Sequence, residues 1–194
     1  MARVAFVLGE DFEDSELRHP YDRLKGAGHE PVLIGTAIGK RIQGKKGKET
    51  ITTQAAVAEV DADDFDALVV PGGYSPDRLR MDEAMVAFTR SFFDAGKTVA
   101  AICHAGSMLV EADAARGRTV TSWPSIRTDL RNAGANWIDQ EVVEDGRLIT
   151  SRKPEDLPAF CDAIIRQLAG DVPGRLAPEL TSRGGRRQQD RSAR

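Results

Sequence analysis

Short apolar runs alternate along the chain with segments whose apolar residues recur at helical spacing, the pattern of a mostly parallel sheet covered by helices on both faces. "RVAFVL" predicts the first strand and "PVLIG" the second; between them the acidic "GEDFED" leads into a helix with Leu17, Tyr21 and Leu24 on its apolar face and Gly28 as its terminator. From Ile38 to Val60 glycine, lysine and threonine interleave, which predicts a small antiparallel excursion. "DALVVPGG" reads as a buried strand ending in a turn, Pro76 to Ala95 as helix, and "TVAAI" as the next strand. "HAGSMLVEAD" then predicts a helix, "RTVTS" a strand, and "SIRTDLRNAG" a helix with Ser125 as N-cap and Gly134 as terminator. "QEVVEDGRLITSR" carries an Asp-Gly hairpin signal, and "PEDLPAFCDAIIRQLAG" supplies a closing helix. Beyond Gly170 the periodicity stops. Residues 1–170 are expected to form one domain, and the Arg- and Gly-rich residues 171–194 a flexible, solvated tail.

The length of 194 residues suits one well-packed core. With 27 Lys and Arg against 30 Asp and Glu, a net charge of -3 gives no general attraction for nucleic acid or an anionic membrane, so small or protein-like partners are expected. No apolar run approaches a membrane span, and the opening "MARVAFVLGEDFEDSEL" turns acidic before a signal-peptide cleavage pattern, which predicts a cytoplasmic protein. The two cysteines, Cys103 and Cys161, suggest neither a disulfide framework nor a zinc cluster. There is no phosphate-binding glycine loop and no His-Glu-x-x-His or paired Cys-x-x-Cys spacing, so neither cofactor nor metal is expected.

Candidate chemistry centres on "VAAICHAGSM", where an apolar strand stops on Cys103. A nucleophile between strand and helix sits on a sharp turn that needs small neighbours two residues to either side, and Ala101 and Ala105 provide them. The N–H groups of the following helix are expected to lower the thiol pKa, and His104 is a candidate proton carrier. Backbone N–H groups at this turn and at Gly72 and Gly73, at the end of the neighbouring strand, are candidate oxyanion donors. Each feature also has a plain structural reading: a packed thiol, a Pro-Gly-Gly turn, a solvated acidic helix start. Their coincidence at the carboxyl edge of a parallel sheet is what favours a site. Cys161 lies among Leu157, Phe160, Ile164, Ile165 and Leu168 at helical spacing and is assigned to the core; His19 and His29 are assigned to the surface.

At these residues the sequence resembles a known family. "FEDSEL", "FDALVVPGG", "SPDRLR", "GKTVAAICH", "RGRTVTSWPSIRTDLRNAGA" and "ITSRKPEDLP" together look like the ThiJ/PfpI superfamily, in particular its PfpI-like intracellular protease branch, from about Arg3 to about Leu168. The resemblance implies a flavodoxin-like three-layer α/β sandwich related to class I glutamine amidotransferases, and a homo-oligomer, dimeric or in some members hexameric. It also implies roles: Cys103 as the elbow cysteine, His104 as the histidine beside it, Glu13 as the carboxyl bonded to the sulfur, and Gly73 with the His104 backbone as the oxyanion region. Asp77 matches the third triad member, which in PfpI-like proteases comes from a neighbouring subunit. Two departures are visible: Ala105 and Gly106 replace the usual Gly-Pro, and Asp77 is shorter by one methylene than the glutamate of some relatives.

Three function classes follow. A stress-protective enzyme would use the Cys103 thiolate on the aldehyde of a reactive dicarbonyl or on glycated proteins and peptides, with Glu13 or His104 moving a proton. A cysteine peptidase would use His104 to protonate the leaving amine, with Asp77 completing the triad across subunits. A redox sensor or stress chaperone would instead oxidise Cys103. The dicarbonyl or deglycation reading ranks first.

Overall fold

A computed structural model describes residues 1–177. In chain order it contains β1 (Arg3–Val7), α1 (Asp14–Gly26), β2 (Glu30–Gly35), β3 (Arg41–Gln43), β4 (Thr50–Thr52), β5 (Ala55–Ala56), β6 (Ala67–Val70), α2 (Ser75–Leu79), α3 (Glu83–Asp94) and β7 (Thr98–Ile102). There follow α4 (Gly106–Glu111), β8 (Thr119–Val120), α5 (Arg127–Asn132), β9 (Asn136–Trp137), β10 (Val142–Asp145), β11 (Leu148–Ser151) and α6 (Leu157–Leu168).

Seven strands form the central sheet in the order β10-β11-β7-β6-β1-β2-β5, parallel throughout except for the β10–β11 hairpin at one edge. Alternating side chains divide the interior into two cores. Ala5, Val7, Leu68, Val70, Val99 and Ala101 face a cluster that includes Met85, Phe92, Met108 and Leu130 from α3, α4 and α5. Val4, Phe6, Val69, Ala100 and Ile102 face the other, with Leu17 and Leu24 of α1 and Phe160 and Ile164 of α6. Strands buried on both faces explain why the sequence shows continuous apolar runs there. This is the expected flavodoxin-like sandwich, and each large side chain it encloses contributes about 1.5–3 kcal/mol.

Several expectations are corrected in detail. The helix expected from Pro76 to Ala95 is two helices, because the Asp82 side chain caps Met85 N–H at 3.1 Å and restarts the chain as α3. The antiparallel excursion is the β3–β4 pair, but β5 returns to the main sheet beside β2. "RTVTS" supplies only β8, which pairs with β9 outside the main sheet. Ser125 is not a helix cap: α5 starts after Ile126 without a side-chain cap. The hairpin turn is centred one residue later than Asp-Gly, on Gly146 (φ 62°) and Arg147. Of the expected tail, Arg175 and Leu176 bond the buried Asp145 carboxylate, Leu176 N–H at 2.9 Å, while residues 178–194 lie outside the described residues. Among the described residues no helix is long and apolar enough to cross a membrane.

Candidate active site

β7 runs between β6 and β11 and delivers Cys103 to its carboxyl end, where the loops after β1 and β6 also converge. Cys103 takes the left-handed conformation (φ 63°), which L side chains rarely adopt, and opens a 3₁₀ turn (Cys103–Ala105) that passes into α4. The Trp123 N–H closes on the Cys103 carbonyl at 3.2 Å. The residue expected to be a nucleophile is therefore held on a strained elbow, and it is a buried residue that lines a cavity of about 480 Å³.

The carboxyl beside the thiol is Glu16, not Glu13. Glu16 is fully buried, its Oε2 accepts the Gly72 N–H at 2.8 Å, and its Oε1 has no hydrogen-bond partner of ordinary geometry. A Cβ placed on Gly72 would meet Glu16 Oε2 at 2.5 Å and Cys103 Cβ at 2.6 Å, so the two side chains converge on that glycine. Glu13, at the start of the same helix, turns toward the β3–β4 loop, where its oxygens take Lys45 Nζ at 2.7 Å and Lys46 Nζ at 2.6 Å. That loop is fixed by Asp14, which accepts the N–H groups of Lys46, Lys48 and Glu49 at 2.9, 2.9 and 2.7 Å. Two ammonium groups capture Glu13, and the carboxyl one turn on is left to face the sulfur.

The remaining expected residues are distributed unevenly. His104 presents Nδ1 to the Cys103 sulfur at 3.4 Å and Nε2 to Ser125 Oγ at 3.2 Å. Asp77 is exposed on α2 and reaches His104 only through its charge. The Gly72 N–H is committed to Glu16, so it is not a free oxyanion donor; the N–H groups of Gly73 and His104 point at the sulfur instead. Gly73 needs its freedom here, since φ is 79° and a Cβ would lie 2.4 Å from the Asp11 carbonyl. Lys45, Lys46, Tyr74, Trp123 and Glu155 also line the cavity and carried no distinguishing local pattern in the sequence. Among the described residues no group of three or more His, Cys, Asp or Glu side chains gathers to hold a metal.

The electrostatics follow from burial. Burial pushes the Glu16 carboxyl up to about 8, against the Gly72 hydrogen bond, so it is a neutral acid at pH 7. Burial and Glu16 together push the Cys103 thiol up to about 12. The His104 and Gly73 N–H groups act in the expected downward direction, but the expected net lowering is overturned. Burial also holds His104 below its usual value, aided by Lys45 and opposed by Asp77, which leaves a neutral imidazole able to accept a proton. Burial would raise Glu13, yet the hydrogen bonds from Lys45 and Lys46 outweigh it and keep Glu13 ionised. The resting site thus holds a thiol, a carboxylic acid and a neutral base in one cavity.

Ser125 orients the imidazole from outside. Ser125→Ala is expected to lower kcat of a Cys103-dependent reaction about two- to tenfold, the rate equivalent of one ordinary hydrogen bond, with KM little changed and Ser125→Thr retaining most of the rate. Steady-state kinetics of the two variants checks this. Cys161 is fully buried in α6, as expected of a core residue, whereas His19 is half-buried in a separate groove of about 760 Å³ beside α1 and Ile165.

Comparison with known proteins identifies the family. The profile of the DJ-1/PfpI family matches residues 2–167. The chain is 47% identical over 167 residues to "Protein/nucleic acid deglycase 2" of Escherichia coli (strain K12), covering 86% of this chain and 97% of that protein. It is 46% identical over 159 residues to "General stress protein 18" of Bacillus subtilis (strain 168), covering 81% of this chain and 92% of that one. Among solved structures, a two-domain protein from Anabaena variabilis with DJ-1/ThiJ/PfpI-like and ferritin-like domains superposes with a TM-score of 0.86 at 37% identity, over 95% of this chain and 52% of that chain. The present chain therefore spans about half the length of that two-domain protein.

Proposed function

Because the chain belongs to the DJ-1/PfpI family, we propose that it is a cysteine-dependent stress-protective enzyme acting on reactive α-dicarbonyls or on glycation adducts formed from them. The observation that carries the reading is the meeting of Cys103, a neutral Glu16 and a neutral His104 in one cavity. With methylglyoxal, the Cys103 sulfur bonds to the aldehyde carbon. The thiol proton passes to His104 Nδ1, and Glu16 gives its proton to the carbonyl oxygen, forming a hemithioacetal. The Glu16 carboxylate then takes the carbon-bound hydrogen of that centre as a proton and delivers it to the adjacent carbon, His104 gives its proton to the ketone oxygen, and the hydroxyl proton of the hemithioacetal returns to Glu16 as the thioester carbonyl forms. The aldehyde carbon is thereby oxidised to a thioester while the ketone carbon is reduced to an alcohol, with no external oxidant. Water cleaves the thioester, releasing lactate and restoring the thiol.

This reading departs from the expected role of Glu13, which supports the cavity wall through Lys45 and Lys46. Within the family we place the chain in the PfpI-like branch, as a homo-oligomer working in the cytoplasm. Two free cysteines, both buried, support a reducing compartment. The peptidase alternative needs a carboxylate on His104 Nε2. Within one chain Ser125 occupies that nitrogen, so this reading needs a carboxylate such as Asp77 from a second copy to displace it. The test is lactate formation from methylglyoxal by the purified protein without glutathione. Sustained turnover is expected; its absence, with peptide cleavage by the assembled oligomer, would transfer the site to the peptidase reading, and absence of both would favour the sensor.

A further inference from the structure

A cavity of about 480 Å³ is several times larger than a three-carbon dicarbonyl needs, so it has room for groups beyond the reacting carbon, and these would meet the rest of its lining. That lining is not uniform. The charged side chains that line it are Lys45, Lys46, Glu13 and Glu155, and the neutral Glu16 and His104 line it as well. Glu13 is 2% exposed, and both its oxygens are occupied by the two ammonium groups, one apiece. Each ammonium has three N–H donors, so each retains donors beyond the one that Glu13 takes. The four charges sum to zero, but Glu155 pairs with neither lysine, so the Lys45–Lys46–Glu13 cluster itself carries a surplus positive charge; both lysines and Glu155 are exposed, so this surplus is subject to screening by salt.

The lysines are also placed rather than trailing. Lys45 N–H bonds the Phe12 carbonyl at 2.9 Å, the neighbouring backbone is tied to Asp14, and Lys45 Nζ stands 5.9 Å from the centre of the Tyr74 ring. Gly44, just before them, is required for this docking, since a Cβ there would lie 2.5 Å from the Asp14 carboxyl.

We propose that Lys45 and Lys46, held by Glu13, form an anion subsite of the Cys103 cavity, so that the site prefers carbonyl compounds carrying a carboxylate a few bonds from the reacting carbon. The reacting end of such a substrate rests on the dicarbonyl reading above; the charge preference does not.

The experiment therefore begins with a probe independent of turnover. Alkylation of Cys103 is followed by mass spectrometry with iodoacetate and with iodoacetamide, which have nearly the same shape and differ in charge. Both reagents require the thiolate, so its fraction cancels in the ratio of their rates. The iodoacetate-to-iodoacetamide ratio is expected to exceed that of free cysteine by about fivefold or more at low salt, and to shrink as salt is added. The Lys45→Met/Lys46→Met double variant should lose this excess, Lys45→Arg/Lys46→Arg should keep it, and Glu13→Gln, by freeing both ammonium groups, should raise it further. A ratio equal to that of free cysteine in the unaltered protein would overturn the subsite, as would an excess that survives the methionine double variant. Both reagents are expected to react slowly, because the thiol is pushed up to about 12, so the ratio is read over long exposures. A second arm compares turnover of phenylglyoxal and 4-carboxyphenylglyoxal, with the carboxylated compound expected to have the higher kcat/KM. Absence of turnover with both would sink the dicarbonyl reading while the alkylation ratio still decides the subsite.

Discussion

Methylglyoxal turnover is expected to fall to background in Cys103→Ala and by about 10²–10⁴-fold in Glu16→Ala, the range for loss of a positioned acid and base. Glu13→Ala should cost less than about tenfold, because that carboxylate acts only through Lys45 and Lys46. Equal losses at positions 13 and 16 would contradict the assignment. The same carboxyl has a signature in stability. Glu16 keeps its proton up to about 8 in the folded chain, against 4.5 for an ordinary glutamate, so between those values the folded state holds one proton more than the unfolded state. Stability therefore declines as pH rises through this window, by at most about 1.4 kcal/mol per pH unit, and levels off above it. Glu16→Gln should remove the slope, which urea unfolding at pH 5, 6.5 and 8 would show. Catalysis should weaken in parallel above about pH 8, where Glu16 loses the proton that it gives to the substrate.

Gly72→Ala is expected to be the most damaging single methyl group at this site. Its Cβ would meet Glu16 Oε2 at 2.5 Å, Cys103 Cβ at 2.6 Å and the Ile102 carbonyl at 2.9 Å; the last two cannot swing aside, and the Glu16 carboxyl, though a side-chain end, is fully buried and held by the Gly72 N–H. Overpacking of this kind costs about 1–3 kcal/mol, or a fall in melting temperature of about 2–12 °C for a domain of this size. Activity should fall further than stability, by about a hundredfold or more, since the displaced atoms are the thiol and its acid. Gly26→Ala is the control: nothing lies within 4 Å of a Cβ there, and the melting temperature should change by less than about 3 °C. A soluble, folded Gly72→Ala protein with full turnover would show that the Glu16–Cys103 approach is not needed.

The parallel sheet was legible because β1, β6 and β7 are buried on both faces, which leaves unbroken apolar text. The elbow was legible for a related reason: only small residues fit around Cys103, and small residues are visible in a sequence. The identity of the acid was not. Glu13 and Glu16 lie one helical turn apart, and what separates them is a β3–β4 loop more than thirty positions on, where Lys45 and Lys46 draw one carboxylate away. Nothing local to "FEDSEL" records that contact. Ser125 was misread for a similar reason, since a serine before a helical run looks like a cap until His104, 21 positions earlier, is brought beside it. The thiol followed the same logic: helix-end N–H groups can be inferred from adjacent sequence, whereas the burial that outweighs them depends on the whole fold.

The left-handed backbone at Cys103 sets stability against activity at a single residue. At φ 63° a glycine would relieve local backbone strain of about 1–2 kcal/mol, and Ile102, Ala105 and the sheet behind them hold any other residue there against that preference. A chain selected only for a lower folding free energy would therefore drift toward glycine at 103 and lose its sulfur. Burial in the two cores on either side of the sheet is what offsets the opposite choice. Changes that thin those cores, even far from the cavity, would shrink the margin within which a cysteine can be kept at this position.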